Sequence, residues 1–193
     1  MKIIKIFLIV LFICFLYFPF SVIWAAGESA PVAETGQTTS YGTNDDGSLR
    51  PGVAWPIPRF VDLGDGTISD ALTGLIWMKN ANCWNYMNWT SAISKIIDLN
   101  NGITTCSGYN GNDIDWRLPN KNELASLIDD SHYNPALPSG HPFSSVQTDY
   151  SYWSSTTSAS STSVAWYVYL YGGDVSYNDK TFSYYVWPVR SGE

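Results

Sequence analysis

The sequence predicts a domain of the α+β class, because its strand signals and helix signals occupy separate stretches of the chain. Three short apolar segments divided by glycine-containing turns lie within residues 59–78. Two amphipathic stretches with capping residues follow, over residues 88–99 and 120–129. Residues 164–171 then alternate with the period of two that strands show. Together these patterns predict two helices, antiparallel strands and long connecting loops.

The first predicted element is a β-meander. The turn at 63–66 (LGDG) separates residues 59–62 from residues 67–70, and Asp-Gly between short apolar runs is typical of a hairpin. A second turn at 73–74 (TG) leads into a third strand over residues 75–78. Three strands are therefore expected before the first helix.

The first helix is predicted over residues 88–99, with Asn88 or Thr90 as its N-cap. Its apolar residues recur at helical spacing, which is typical of a helix with one face against the core. They are Ala92, Ile93, Ile96, Ile97 and Leu99.

The second helix is predicted to begin at Asn120. Asn120 and Glu123 are three residues apart and form a capping-box pattern, with Asn in the position that Ser or Thr usually holds. The helix is expected to run to about Asp129 and to face the core through three residues. These are Leu124, Leu127 and Ile128.

Arg117 lies between Trp116 and Leu118, in an otherwise apolar stretch. A charge held among apolar side chains needs a partner. We therefore predict that Arg117 makes a structural ion pair and that Trp116 and Glu123 are structural residues as well. The candidate partners of Arg117 are Asp62, Asp70 and Asp115.

The C-terminal part of the chain indicates recognition. Between residues 150 and 187, eight of thirty-eight residues are Tyr and nine are Ser. Tyr offers a large contact area with few rotatable bonds, and Ser adapts its hydrogen bonds, which is why antibody binding loops are rich in both. A strand over 174–178 and a last strand over 184–190, with Pro188 at an edge or a bulge, are expected to complete this part.

Alternation divides residues 164–171 into two faces. Val164, Trp166, Val168 and Leu170 share the face expected to join the core, and Ala165, Tyr167, Tyr169 and Tyr171 share the other. The second face is amphipathic and is expected to meet a ligand. The candidate ligand-contact residues are Tyr152, Tyr167, Tyr169, Tyr171, Ser176, Tyr177, Asn178 and Tyr184.

The N-terminus predicts export. Lys2 and Lys5 precede an apolar run that ends in small residues, so residues 1–26 have the layout of a signal peptide. Residues 27–54 are small and polar and are expected to form a flexible leader, with the binding domain over 55–193. The expected location is periplasmic, cell-surface or extracellular. An uncleaved signal sequence, as a membrane anchor, is the alternative.

Charge and cysteine content exclude several classes of function. Removing residues 1–26 takes away two Lys and no acid, which changes the net charge from −7 to −9 and disfavours nucleic acid as a partner. In an exported protein the remaining pair, Cys83 and Cys106, is expected to form a disulfide, since no histidine or third cysteine lies nearby to complete a metal site.

No catalytic residue and no cofactor are expected. His132 and His141 each lie beside a proline-rich turn and are interpreted as turn or packing residues. The loop at 44–47 (NDDG) has some likeness to a calcium loop but lacks the ligand pattern of an EF-hand, so a plain turn is favoured over calcium binding.

A series of ordered motifs then resembles a bacterial domain family of unknown function, typified by the C-terminal domain of the Legionella collagen-like adhesin. The motifs are TGLIWMKN (73–80), DWRLPNKNELASLID (115–129), YNPALPSGHPF (133–143), YWSST (152–156), AWYVYLYGGDV (165–175) and YVWPVRSG (185–192). The pattern WRLP-x-x-x-E-L also resembles sulfatase-modifying domains. These resemblances imply a C-type-lectin-like fold, with two helices, a small twisted antiparallel sheet and long loops.

The C-terminal part also resembles the variable segment of proteins diversified by retroelements, whose codons yield mainly Tyr, Ser, Asn, Asp, Phe and Thr. A Tyr/Ser-rich β-structure without diversification is the alternative. The matching positions are Ser161, Ser163, Tyr167, Tyr169, Tyr171, Ser176, Tyr177, Asn178, Ser183 and Tyr184.

The sequence therefore predicts a surface-displayed or secreted, non-catalytic domain of the adhesin type that binds a glycan or a surface protein. Two alternatives remain open at this point. One is a structural envelope protein whose aromatic residues pack against neighbouring proteins, and the other is an exported hydrolase.

Overall fold

Short helices and antiparallel strands build residues 32–192, which are the residues that the computed structural model describes. The predicted signal peptide lies outside them, and within them no helix is both long and apolar enough to span a membrane. The helices are α1 (Asp46–Leu49), α2 (Trp89–Asn100) and α3 (Lys121–Ala125). The strands are β1 (Phe60–Asp62), β2 (Thr67–Asp70), β3 (Leu75–Met78), β4 (Met87–Asn88), β5 (Tyr152–Thr157), β6 (Val164–Tyr169), β7 (Asp174–Asp179), β8 (Ser183–Tyr184) and β9 (Val189–Ser191).

Three small antiparallel sheets confirm the α+β class. Their strand orders are β1-β2-β3-β9, β4-β8 and β5-β6-β7. Together with α2, α3 and the long loops, they are compatible with the C-type-lectin-like architecture that the resemblance implies. The predicted last strand is divided in two, because residues 185–188 bond to both larger sheets: Trp153 N donates to Tyr185 O at 3.0 Å and Met78 N to Pro188 O at 3.0 Å.

The predicted meander is confirmed, with β1, β2 and β3 in sequential antiparallel pairs. At the first turn, the Asp65 carboxylate accepts hydrogen bonds from the Thr67 backbone N–H at 2.9 Å and from its hydroxyl at 2.5 Å. Gly66 follows with a φ of 91°, and a Cβ there would lie 2.1 Å from the Gly108 carbonyl oxygen. A glycine is therefore required by both the backbone angle and the close approach of the 108 loop.

Helix α2 agrees with its prediction. Asn88 is the N-cap, its side chain accepts from Ser91 N at 2.9 Å, and Ala92, Ile96 and Leu99 are buried. Ile97 differs from the prediction, since half of its side chain is exposed.

Helix α3 begins at the predicted capping box but ends at Ala125 rather than near Asp129. The Ser126 hydroxyl donates to Glu123 O at 2.7 Å, and the next two N–H groups bond three residues back, at 3.3 and 3.1 Å. Asp129 N then donates to Ala136 O at 3.1 Å. The chain therefore tightens after one helical turn and leaves the helix axis to meet the loop of Ala136.

Aromatic side chains form the centre of the core. Trp77, Trp153 and Trp187 are fully buried, and Trp116 is nearly so. The Trp77 and Trp187 rings meet edge to face at 5.6 Å. Trp166 differs from its prediction, because it is only partly buried and lies beneath the Lys121 ammonium at 4.5 Å. It is a shielded surface residue rather than a core residue.

The flexible leader expected from composition is not observed over residues 32–54. Val53 N donates to Val32 O at 2.8 Å, and Glu34 N donates to Val53 O at 3.0 Å, so the two ends of this segment pair with each other. Asp130 N then donates to Thr35 O at 3.0 Å, which attaches the segment to the rest of the domain. Hydrogen bonds thus hold this polar segment in place, and its amino-acid composition alone does not predict them. Residues 32–192 belong to one compact unit.

The predicted disulfide is present between Cys83 and Cys106. It ties the connection between β3 and β4 to the loop that follows α2, across a sequence separation of 23 residues. Closing a loop of this length removes entropy from the unfolded chain.

We expect the double variant Cys83→Ser/Cys106→Ser to lose about 3 kcal/mol of unfolding free energy, the loop-entropy value for this separation. The measurement is urea unfolding of the variant beside the oxidised wild type. A loss below about 1 kcal/mol would show that the crosslink does not act through the unfolded chain.

Candidate ligand-binding cleft

The register of β6 and β7 collects polar and aromatic side chains on one face of their sheet. Tyr167 pairs with Ser176, Tyr169 with Asp174 and Ala165 with Asn178. Paired residues of antiparallel strands project to the same face. Two tyrosines, a serine, an asparagine and an aspartate are therefore neighbours.

Tyr184, from β8, covers part of this face. Its ring centre lies 4.9 Å from that of Tyr167 and 4.6 Å from that of Trp153, and its hydroxyl accepts a hydrogen bond from Asn178 Nδ2 at 2.9 Å. Burial raises the pKa of the Tyr184 phenol, although the Asn178 hydrogen bond opposes that shift. The phenol is therefore neutral at physiological pH, and its position is held from two sides.

A cleft of about 470 Å³ opens beside this cover, and we call it the tyrosine cleft. It takes residues from three parts of the chain: the loop before β5, the β6–β7 hairpin and β8. They are Asp149, Tyr150, Ser151, Tyr167, Tyr169, Asp174 and Tyr184.

More tyrosines extend the aromatic surface beyond the cleft. The rings of Tyr169 and Tyr171 stack at 5.9 Å with 14° between their planes, and the exposed Tyr133 meets Tyr171 at 6.4 Å. On the other side, Tyr86 and Tyr150 meet at 5.4 Å, and about half of each is exposed. Exposed rings that already touch each other lose little entropy on binding, so they form a preorganised contact surface.

The structure brings together most of the predicted contact residues. Tyr167, Tyr169, Ser176, Asn178 and Tyr184 share the face described above, and Tyr171 lies next to it.

Two predicted contact residues lie elsewhere. Tyr152 is fully buried, and its hydroxyl accepts from Gln147 N at 2.8 Å, so it is a core residue. That burial raises the pKa of the Tyr152 phenol far above its ordinary value. Tyr177 pairs with Trp166, and the two rings meet at 5.2 Å on the opposite face of the sheet. Burial thus makes the prediction for Tyr152 wrong, whereas Tyr177 is exposed but lies apart from the other predicted contact residues.

Sequence reasoning missed four residues of the cleft: Asp149, Tyr150, Ser151 and Asp174. A signal for Asp174 was present, because a hairpin closed through Gly172 and Gly173 places it opposite Tyr169. Asp149–Ser151 lie in an irregular loop, and no local pattern predicts where such a loop points.

Arg117 pairs with Glu123. The predicted partners were Asp62, Asp70 and Asp115, and that prediction was wrong. The two guanidinium contacts to the Glu123 carboxylate measure 2.6 and 2.8 Å. Glu123 also accepts from Asn120 N at 2.8 Å, and the Asn120 side chain accepts from Glu123 N at 2.9 Å, which completes the capping box. These residues are structural, as predicted, and lie outside the tyrosine cleft.

Because of this network, we expect the stability of the domain to fall in acid in part through Glu123. Burial raises the pKa of Glu123, but the hydrogen bonds from Arg117 and Asn120 outweigh it and hold the pKa below its ordinary value. A lowered carboxylate pKa contributes stability above the unfolded value that is lost as pH falls through the folded value. Unfolding free energies measured from pH 7 to pH 3 should decline less in Glu123→Gln than in wild type. Parallel curves would contradict this.

The two histidines lie apart from the cleft lining. His132 Nδ1 is 3.0 Å from Asp129 Oδ2, and His141 packs against Phe143 at 5.8 Å, where burial lowers its pKa. Within residues 32–192, no group of three or more His, Cys, Asp or Glu side chains is placed to hold a metal ion. In the 44–47 loop, Asp45 is the N-cap of α1 and accepts from Ser48 N at 2.9 Å.

A second and larger cavity, of about 610 Å³, lies between the N-terminal segment and the rest of the domain. Val32, Val53, Trp55 and Ile128 contribute apolar surface, and Glu34 and Asp130 are its acidic residues. None of the predicted contact residues lines it.

Comparison with known proteins agrees with the motifs. The family model of the Lcl C-terminal domain matches residues 66–190, which run from the residue before β2 into β9 and include every residue of the tyrosine cleft. The fold and the site thus define the class of protein: an α+β domain with a tyrosine-lined cleft. The chain belongs to the Lcl C-terminal domain family. No curated protein matches the chain.

Proposed function

We propose that this protein is an exported, non-catalytic binding domain of the adhesin type, and that its ligand is held in the tyrosine cleft. The observation that carries the proposal is the cleft itself, in which four tyrosines and two aspartates converge from three parts of the chain. Membership of the Lcl C-terminal domain family and the disulfide are consistent with a domain that works outside the cytoplasm.

The chemistry of the cleft supports a glycan or a protein as the ligand. Tyrosine rings stack on sugar rings and on protein side chains and lose little conformational freedom when they do so. The carboxylates of Asp149 and Asp174 accept hydrogen bonds from hydroxyl or N–H groups, and Ser151 can both donate and accept. Neither histidine lines the cleft, so the Ser–His and Cys–His pairs of nucleophilic catalysis do not occur there.

The experiment is binding of residues 27–193 to an array of glycans and surface proteins, beside two variants. Tyr150→Ala/Tyr169→Ala/Tyr171→Ala removes two exposed rings and the partly buried ring of Tyr169 in and beside the cleft, and Tyr177→Ala removes an exposed ring from the opposite face. We expect the triple variant to lose the binding that the wild type and the Tyr177 variant share.

Circular dichroism and urea unfolding should first show that both variants fold. Equal loss of binding in the two variants would reject the cleft as the site. No binding by any form, at concentrations that detect micromolar affinity, would reject the proposal in favour of a structural envelope protein.

A further inference from the structure

Seven of the eight lysine and arginine side chains within residues 32–192 are engaged away from the tyrosine cleft. Among residues 32–192, five cations form ion pairs: Arg50 with Glu34, Arg59 with Asp70, Lys79 with Asp62, Arg117 with Glu123 and Arg190 with Asp113. Lys121 lies over the Trp166 ring and Lys180 over the Trp89 ring, at 4.5 and 4.1 Å. The domain thus pairs these seven cations with its own carboxylates and aromatic rings, and Lys95 is the one for which the described residues show no such partner.

The carboxylates of the cleft are among those that these ion pairs leave uncompensated in the described chain. Neither Asp149 nor Asp174 has an ion-pair partner within the described residues, and the cleft lining contains no Lys or Arg. Asp149 accepts hydrogen bonds from Tyr150 N at 3.1 Å and from the Tyr185 hydroxyl at 3.4 Å, which leave its charge uncompensated. Both aspartates are exposed, so a ligand can reach them.

Aromatic rings surround these charges. Tyr150, Tyr167, Tyr169 and Tyr184 line the cleft, and aromatic rings attract a cation through their quadrupoles. Two unpaired carboxylates among four rings make a site complementary to an ammonium or guanidinium group. The same charges would repel a sulfated or phosphorylated ligand.

A free strand edge lies next to the cleft. Among the described residues, β7 pairs with β6 alone, and Asp174 is both the first residue of β7 and part of the cleft lining. An unpaired edge offers backbone donors and acceptors that an extended peptide can pair with in register. A sugar chain has no peptide backbone and cannot form this ladder of hydrogen bonds. The edge therefore favours a protein as the source of the cation.

We infer that the tyrosine cleft binds a lysine or arginine side chain presented by an extended segment of a protein partner. This inference rests on the proposed function and narrows it from a glycan or a protein to a basic protein segment.

The test uses a hexalysine peptide as the probe, titrated into residues 27–193 by isothermal calorimetry at 0.15 M salt. Asp149→Asn/Asp174→Asn is compared with Asp98→Asn/Asp115→Asn, which makes the same change in net charge at carboxylates that have no ion pair in the described chain and lie outside the cleft. We expect the cleft variant to bind roughly tenfold more weakly and the control to change little. Tyr169→Phe should retain the affinity, and Tyr169→Ala should lose it.

Two further probes identify the source of the charge. Hexalysine acetylated at every side chain lacks the charges but keeps the backbone and should not bind. A glucosamine hexamer carries ammonium groups on sugar rings and should bind more weakly than hexalysine. Equal weakening in both aspartate variants would overturn the inference, and so would tighter binding of the glucosamine hexamer.

The two proposals fail in different ways. A neutral glycan or neutral protein that binds on the array and is lost in the tyrosine triple variant, while hexalysine does not bind, would overturn the cationic ligand and leave the binding cleft standing. Failure of every array ligand and of hexalysine would overturn both.

Discussion

Replacing Asp70 with alanine is expected to lower the free energy of unfolding by about 3–5 kcal/mol, because it leaves a buried guanidinium without its carboxylate partner. Arg59 Nε donates to Asp70 Oδ1 and Arg59 Nη2 to Oδ2, both at 3.0 Å, and the two side chains are 4% and 0% exposed. The Asp70 carboxylate also accepts from Leu72 N and the Thr73 hydroxyl, at 3.0 and 2.9 Å. The variant therefore loses an ion pair and the turn that follows β2.

Urea unfolding measures this effect, and an exposed ion pair in the same sheet provides the control. Lys79 and Asp62 are 2.6 Å apart, with each side chain 38% exposed. Lys79→Ala should cost no more than about 1 kcal/mol, since exposed pairs contribute little. The double variant Arg59→Met/Asp70→Leu should recover part of the loss, because it leaves no unpaired buried charge. A similar cost for Asp70→Ala and Lys79→Ala would contradict this account.

The second large effect is expected on binding. Tyr169→Ala should weaken binding of the ligand identified on the array by roughly tenfold or more, because a central aromatic contact gives an effect of this size. Tyr169 lines the cleft, stacks on Tyr171 and pairs with Asp174 across the hairpin. Its removal takes away a contact surface and also the support of the neighbouring ring.

Tyr177→Ala is the matched control, since Tyr177 belongs to the same sheet but to the other face. We expect its dissociation constant to stay within about twofold of the wild-type value. Affinity is measured by calorimetry, after unfolding curves have shown that each variant is folded. Loss of affinity in Tyr177→Ala that matches the loss in Tyr169→Ala would move the site to the opposite face.

The features predicted correctly from the sequence depend on local chemistry. The Asp-Gly hairpin, the Asn88 cap and the Asn120–Glu123 capping box each involve residues a few positions apart. The Cys83–Cys106 disulfide followed from a single remaining pair of cysteines. Alternation along β6 also predicted correctly which tyrosines share a face.

The errors arose where long-range packing decides. Tyr152 pairs with Val168, and its ring packs against Tyr185 and Trp187 in the core. The sequence of β5 alone therefore could not show that this side chain is buried. The pairing of β5 with β6 also shifts between Trp153 and Thr157, which breaks any simple alternation.

The partner of Arg117 was missed for another reason. Glu123 was assigned to the cap alone, whereas its carboxylate serves both the cap and the guanidinium. The cleft itself forms only when the loop before β5, the β6–β7 hairpin and β8 meet, and no single segment contains that information.

The central claim, that a ligand occupies the tyrosine cleft, is tested most directly by NMR. Residues 27–193 labelled with ¹⁵N are titrated with the strongest ligand from the array, and amide shift changes are mapped on the structure. The account predicts that the changes cluster at residues 149–151, 167–169, 174 and 184, which line or border the cleft. Changes confined to the cavity beside residues 32–35 and 125–128 would contradict it.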